Sequence, residues 1–435
     1  MHVGIIGGGL MGAALAYFLT QAGQQVTILE QSSEMGGLNG EIRVSPALKI
    51  ARYQHAILPV DDSVRALCAE LGLENELIFR KSYVGFVHEH DLYAMSSVRD
   101  FLAFPPLSLL DRVLLGRLVV SALRQRDWRE LDSLTVKEWL VRLGGERVFE
   151  RIWRPLLEAK FDGVYDTLPA TYMWAWLHRM STSRRVPQFQ GSVGYLRGGH
   201  YSLIRALLNC VEQRGGRVET NVRVREIELD GGAARRVRTL DGEMEFDAII
   251  AAIATPTFAL LIPGASEEYR AQLAKSKYLG LICPVMVVNR PLSQYWTLNL
   301  TDPTCPFSTV IETPHPEHPH YHIVYLPRYT APDNDWMGVS DEEIREAWFT
   351  HLKKIFPTFD EKQVEYFGVS RSRYAEPVYA VGMLQHPLHP RTPYDGLYLA
   401  NTGQVYPALP TSEAAIAHAR QITRLVERQP ARVAV

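Results

Sequence analysis

The sequence predicts an α/β protein. It comprises a three-layer, Rossmann-like domain that carries a helical insertion and an inserted antiparallel-sheet domain. Three observations predict it. An apolar run at 3–6 ends in Gly7-Gly8-Gly9-Leu10-Met11-Gly12, then comes an apolar helical stretch, then a second apolar run that ends on Glu30. Between residues 97 and 190 strand patterns fade and helical periodicity takes over. Strand-like runs return at 282–289, 308–312 and 320–326.

Each part of the opening stretch has a physical task. Gly7 lets the chain turn sharply out of the first strand, Gly9 leaves room for a pyrophosphate at the backbone, and Gly12 lets the helix pack close to the sheet. The free N–H groups of Leu10 and Met11, with the positive end of the helix dipole, favour a diphosphate. Glu30 follows Gly12 at close to the roughly 20-residue spacing of an acid that accepts from a ribose hydroxyl. Strand, glycine turn, helix, strand and acid together define a dinucleotide cradle.

Glu30 is followed by Gln31-Ser32-Ser33-Glu34-Met35 and then Gly36-Gly37. With these residues the chain resembles the flavin amine oxidase, protoporphyrinogen oxidase and phytoene desaturase superfamily. The later series Trp296, Asn299, Asp302, Pro306, Phe307 and Glu312 is most similar to that of a bacterial branch of NAD(P)- or FAD-dependent oxidoreductases. The resemblance implies FAD, with Gly36 and Gly37 making a second close approach and Gln31 and Leu38 lying along the cofactor. A surface turn on an NAD-binding domain is the competing reading, and the spacing favours FAD.

The rest of the chain follows in order. Residues 38–44 alternate like a short strand or hairpin, and the resemblance carries 49–57 past the flavin, which makes Tyr53 and His55 candidates for its surroundings. Spacing predicts a helix over 62–78, capped by Asp62 or Ser63, and a hairpin at 82–95 that turns at Glu89-His90-Asp91. Helical stretches follow at 108–125, 135–143, 147–159 and 170–180, with a capping box from Thr135 to Glu138. The stretch 108–125 is apolar with Arg112, Arg117 and Arg124 interspersed. It either packs into the insertion or lies on a membrane surface. Tyr172, Trp174 and Trp176 belong to the insertion's core or to a substrate cage.

Residues 203–212 read as a helix and 217–227 as a strand, and the resemblance sets the backbone of Val224 against the adenine. A buried strand at 243–253 runs into Ala254-Thr255-Pro256, again the pattern of the related flavoproteins. Trp296, Asn299, Asp302, Pro306, Phe307 and Glu312 form a series shared with the bacterial branch. An amphipathic helix is predicted at 341–356. The strand at 396–400 runs through Asn401 towards Tyr406-Pro407 and a helix from about Ser412. By resemblance, Asn401 holds the ribityl chain and the helix start at Ser412 faces the cofactor. The division that results is FAD-binding domain over 1–80, 191–262 and 381–428. The substrate domain covers 81–96 and 263–380, the helical insertion 97–190, and a loose tail 429–435.

Composition narrows the function. The chain has 435 residues, 46% of them hydrophobic, and a net charge of −2, so nothing marks a nucleic-acid binder. Cys68, Cys210, Cys283 and Cys305 are scattered without a paired motif, which fits a reducing, cytoplasmic setting and no zinc site. No apolar run is long enough to span a membrane, and no secretory leader is read at the start. Histidines crowd 315–322, but prolines break their spacing, and no metal site is expected.

Three departures from the related proteins stand out: Leu38-Asn39 after the Gly-Gly, Asn401 in place of an acid, and no identifiable lysine for the flavin. The expectation is an FAD-dependent oxidoreductase that removes a hydride from a small, apolar or amine-bearing substrate. Tyr53, His55, Glu312 and Tyr406 are the candidate catalytic residues. One alternative is a flavin-dependent isomerase resembling UDP-galactopyranose mutase, with Arg328, Arg371 and Arg373 binding a substrate diphosphate. Another is a non-catalytic protein on the FAD fold. The expected partner is a small molecule, with no prediction of oligomeric state.

Overall fold

The computed structural model describes residues 1–89, 91–105, 107–182, 184–185 and 190–428. The tail expected at 429–435, and His90 in the expected hairpin turn, lie outside the described residues.

The strand His2–Ile6 is the middle of a five-stranded parallel sheet. In order, the strands are Arg217–Glu219, Gln25–Leu29, His2–Ile6, Ala248–Ala251 and Leu397–Leu399. Both faces are covered, so these strands are apolar almost throughout. Alternation still sorts the side chains. Val3, Ile5, Val26, Ile28 and Ile250 point to one face, against the helices Leu10–Gln21, Gly199–Gln213 and Ser412–Glu427. Ile6, Leu29, Ile249, Ala251 and Leu399 point to the other, against an antiparallel meander of Glu226–Asp230, Ala233–Arg238 and Glu243–Glu245. Helices, parallel sheet and meander are the three layers.

Several expected elements are cut differently. The run 217–227 is not one strand. Arg217–Glu219 ends the parallel sheet and Glu226–Asp230 begins the meander, with an extended crossing between them. The run 243–253 divides likewise, because Phe246 and Asp247 turn the chain from meander to sheet. Phe246 packs over Gly4, and Asp247 accepts the His2 N–H at 2.6 Å. Asp61 stands at the N-cap position of the helix Asp62–Glu70, rather than Asp62 or Ser63.

The second sheet is built around Lys277–Val288, which is buried along nearly its whole length. Val364–Val378 pairs with it on one side, and His322–Tyr325 and Arg328–Thr330 on the other. The sheet continues through Thr309–Pro314, Thr297–Leu300, Val84–His88 and Asp91–Ala94. All its pairs are antiparallel except Thr297–Leu300 with Val84–His88, which is parallel. The helix Asp341–Ile355 starts from a Ser340–Glu343 capping box and covers one face with Ile344, Trp348 and Leu352. The opposite face packs Cys283, Val285 and Tyr325 against Ile50 and Tyr53, next to the hairpin Glu41–Arg43 and Lys49–Ala51. Two hydrogen bonds fix that hairpin to the sheet, His315 Nε2 to the Lys49 carbonyl (3.0 Å) and Tyr325 Oη to the Ala51 carbonyl (3.0 Å).

The helical insertion has its own core, with Trp139, Phe149, Phe161 and Tyr172 at its centre. Capping boxes open the helices Leu109–Arg124 (Ser108 with Asp111) and Val136–Gly144 (Thr135 with Glu138). The fully buried Asp111 carboxylate accepts from Arg147 Nε at 2.6 Å. Leu109–Arg124 packs inward through Leu115, Leu118 and Ala122, while Leu109, Leu110, Val113, Val120 and Leu123 remain exposed.

Asp61 ties the insertion to the cofactor domain. Its buried carboxylate accepts the Leu58 N–H at 2.7 Å and pairs through both oxygens with Arg179 of the helix Ala170–Thr182. Breaking a buried pair from one side leaves a poorly solvated charge, so Asp61→Ala is expected to lower stability by about 3 kcal/mol. Chemical denaturation of the two proteins measures it, and an unchanged midpoint contradicts this role.

Candidate active site

The first glycine turn is compact on one side and open on the other. Gly7 adopts φ +108°, and a Cβ on Gly12 would sit 2.0 Å from the Gly7 carbonyl oxygen, so helix and strand backbones touch. A Cβ on Gly9 would meet nothing within 4 Å. Gly9 is also the N-cap of Leu10–Gln21 and offers no side-chain acceptor, so the first N–H groups of that helix face open space. Glu30 is half-buried beside them, with one carboxylate oxygen on the Gly8 N–H (2.7 Å) and the other on the Ser32 N–H (2.9 Å). Gln31 next to it is exposed.

The second glycine pair is joined directly to the first. The Gly36 N–H donates to the Gly8 carbonyl at 2.8 Å, and Gly36 and Gly37 take φ of +123° and +55°. Val224 is in the extended crossing after Arg217–Glu219, and its own N–H and C=O make no hydrogen bond among the described residues. Its neighbour Val222 donates to the Glu30 carbonyl at 2.8 Å, which brings the crossing to the acid. An open Gly9, an uncapped helix start, a fixed carboxylate and a free peptide edge fit the diphosphate, ribose and base of a dinucleotide.

A cavity of about 360 Å³ opens beyond the second glycine pair. Leu38, Tyr53, His55, Thr411 and Ser412 border it from the cofactor domain. Tyr172, Trp176 and Arg179 border it from the insertion, and Leu281, Trp296, Tyr329 and Glu376 from the second sheet. Trp176 is both cavity wall and solvent-exposed, so the mouth lies beside it.

The four proposed catalytic residues separate. Tyr53 is buried in the wall, and burial holds its hydroxyl above the ordinary tyrosine range. His55 bonds the Leu38 carbonyl through Nε2 at 3.0 Å. A carbonyl only accepts, so Nε2 carries the proton and Nδ1 is left as an acceptor. Burial lowers the His55 pKa, partly offset by that bond. Glu312 is not a wall residue. Its oxygens accept the Leu292 and Ser293 N–H groups (3.1 and 3.0 Å), and His322 Nδ1 is 3.0 Å away. Tyr406 donates to Asp132 at 2.6 Å and packs on Trp128 and Tyr379, turned towards the insertion. Burial and Asp132 raise its pKa.

Asn401 is also occupied. Its amide donates to the Ile253 carbonyl (3.0 Å) and Thr255 Oγ1 (3.1 Å), and its oxygen accepts the Gly403 N–H (2.9 Å). It closes the joint between Ala248–Ala251 and Leu397–Leu399. Arg371 pairs with Asp341 at 2.7 Å, Arg328 donates to the Pro306 carbonyl at 3.2 Å, and Arg373 is exposed. None of the three lines the cavity, so nothing supports the diphosphate site of the isomerase reading.

The cavity also holds residues that the sequence did not single out as site residues. Lys160 of the helix Arg154–Phe161 lies 3.3 Å from Glu376 of Val364–Val378. Burial opposes its charge, but Glu376 and the nearby Tyr172 and Tyr329 hold its pKa well above the ordinary lysine value. Behind the wall and not part of its lining, His200, at the start of Gly199–Gln213, is buried 5.2 Å from the ring of the wall residue His55, and its Nε2 has no hydrogen-bond partner among the described residues. Burial, then the neighbouring His55, pushes it down to about 3. The histidines at 315–322 are used in structure, and no group of three metal-ligating side chains gathers among the described residues.

The three-layer domain, the cradle and the adjoining cavity define a dinucleotide-binding protein with a cavity beside the cradle. The chain matches the family described as flavin containing amine oxidoreductase over residues 12–420, and it belongs to that family. It is an FAD-dependent oxidoreductase, and FAD is its cofactor. Among curated proteins it is similar to 15-cis-phytoene desaturase of Solanum lycopersicum, 22% identical over 96% of this chain and 76% of the relative. Zeta-carotene desaturase of Arabidopsis thaliana is likewise 22% identical, over 98% of this chain and 85% of the relative. In fold it is similar to an oxidoreductase from Methanosarcina mazei, with TM-score 0.77, 19% identity and coverage of 98% of this chain and 100% of the other. Cyclohexylamine oxidase from Brevibacterium oxydans IH-35A follows, with TM-score 0.71, 16% identity and coverage of 98% and 99%.

The buried His200 makes stability pH-dependent. Its folded pKa lies below the unfolded value of 6.5, so the unfolded chain binds more protons as pH falls, and stability drops on acidification. Between pH 6.5 and 5 the loss is expected to reach about 2 kcal/mol. His200→Gln is expected to remove the His200 share of the slope in denaturation curves and leave the share of the other buried histidines, His55 among them, and an equal slope in both proteins contradicts it.

Proposed function

We propose that FAD lies along the segments just described and that its reactive end reaches the cavity. The helix start at Gly9, Leu10, Met11 and Gly12 receives the diphosphate, and Gly7 gives the turn that exposes it. Glu30, with Gln31 beside it, receives a ribose. Gly36 and Gly37 give the second close approach, and the free peptide edge of Val224 receives the base. Leu38, His55 and Ser412 face the reactive end, while Asn401 braces that end of the sheet from behind. When bound, the flavin accepts a hydride equivalent from the substrate.

The observation that carries this reading is the cavity, which the cofactor segments and an aromatic wall share. Tyr53, Tyr172, Trp176, Trp296 and Tyr329 line it, so the substrate is small and largely apolar. Tyr53 and His55 act beside the reacting atoms. The neutral His55 keeps Nδ1 as a hydrogen-bond acceptor, and the buried Tyr53 remains a phenol. Glu312 and Tyr406 act by holding loops: Glu312 fixes 292–293 beside Trp296, and Tyr406 fixes Asp132 of the insertion. The purified protein is expected to be yellow and to bleach anaerobically with its substrate. Colourless protein that cannot take up added FAD would falsify this reading.

We further propose that the helix Leu109–Arg124 rests on a lipid surface. Its exposed face carries Leu109, Leu110, Val113, Val120 and Leu123 with Arg117 and Arg124, while its acid, Asp111, is buried. An apolar face with two cations set among its side chains suits an anionic bilayer. Flotation with phosphatidylserine-containing vesicles is expected to carry the protein, and Leu110→Asp with Val113→Asp to abolish it. Equal recovery of both proteins contradicts the contact.

A further inference from the structure

Lys160 occupies a setting suited to a substrate cation. Its Nζ lies 3.3 Å from Glu376 Oε1 and 4.4 Å from the centre of the Tyr329 ring. Tyr172 and Tyr329 are its neighbours in the wall, and burial keeps both as phenols. A carboxylate with aromatic faces is how proteins bind an ammonium group. Here the chain supplies that ammonium itself. The side chain is 34% accessible and borders the cavity, so it belongs to the wall and not to a sealed core. Among the described wall residues Glu376 is the single carboxylate, and Lys160 already engages it. The other wall cation, Arg179, is paired with Asp61.

Two consequences follow for a ligand. An incoming ammonium meets a like charge and no uncommitted carboxylate, in surroundings that screen charge weakly. An incoming oxygen acceptor meets the Lys160 ammonium and two phenols beside it, all of them donors. We infer that the Lys160–Glu376 pair, with Tyr172 and Tyr329, selects a substrate that ends in a carboxylate or carbonyl oxygen and rejects amines. This rests on the reading above that the cavity is the substrate site, and it deepens that reading by naming the polar end of the substrate.

The test compares two probes with the same apolar body, hexanoate and hexylamine. Titrations into the FAD-loaded protein are read by the flavin absorbance change, and titrations into flavin-free protein by calorimetry. Wild type is expected to bind hexanoate at least about tenfold more tightly than hexylamine. Lys160→Met frees Glu376 and is expected to reverse that order, while Lys160→Arg preserves it. Lys160→Met with Glu376→Gln removes both charges and is expected to bring the two affinities together, even if the single Met variant does not fold. Equal affinities in the wild type, no binding of either probe, or the wild-type ratio persisting in the double variant each overturn the inference. Failure of FAD uptake would instead strike the cofactor reading, since the calorimetric ratio is measured without flavin.

Discussion

The hydrogen bond from the Gly36 N–H to the Gly8 carbonyl is the contact on which the site depends. It presses two glycine turns from different parts of the chain together, with Gly9 and Gly36 as neighbours. Nothing with a side chain fits comfortably there: a Cβ on Gly36 would lie 2.8 Å from the Gly40 Cα, and one on Gly8 would strike Met35. The second turn is therefore held at the helix start, and the chain that leaves it is aimed at Leu38. His55 is bonded to Leu38, and the cavity begins at these two residues. A backbone contact between glycines thus sets where cofactor segments end and substrate space begins.

How much of this was legible in the sequence depended on the distance over which each feature is encoded. The strand, turn, helix and acid of residues 3–30 are local, and each residue type has its reason within a few neighbours. The three layers were readable for the same cause, since apolar runs and helical periodicity are short-range patterns. The crossing at 220–225 was not readable, because Val222 and Val224 look like strand residues and only the change of sheet partner shows that they are not. Glu312 resembled a catalytic acid by its place in a series of residues, yet its partners at 292–293 and His322 come from turns and strands that periodicity does not align. Lys160 was hidden for the converse reason. It ends a helix in the insertion, and its partner sits on a strand of the distant second sheet, so no local pattern joins them.

Charge in the cavity is handled by pairing. Lys160 has Glu376, Arg179 has Asp61, and His55 in the wall, with His200 behind it, is kept neutral by burial. Each partner in the ion pairs comes from a different layer of the molecule, so the pairs also join the insertion to the domains it covers. An apolar wall alone would tolerate sliding of one domain over another. Ion pairs with fixed geometry do not, above all the buried Asp61–Arg179 pair, where a separated partner is left poorly solvated.

The cofactor domain is also assembled from segments far apart in the sequence. The helix Leu10–Gln21 packs against Ser412–Glu427, and the parallel sheet is completed by Leu397–Leu399. During synthesis the glycine turns leave the ribosome long before the edge strand Leu397–Leu399 and the covering helix Ser412–Glu427. The nascent chain therefore carries an exposed apolar sheet face until those two elements emerge. In the cell the order of assembly is dictated by that geometry: the intervening insertion and second sheet can pack first, and a finished cradle comes only after the carboxyl-terminal helix arrives.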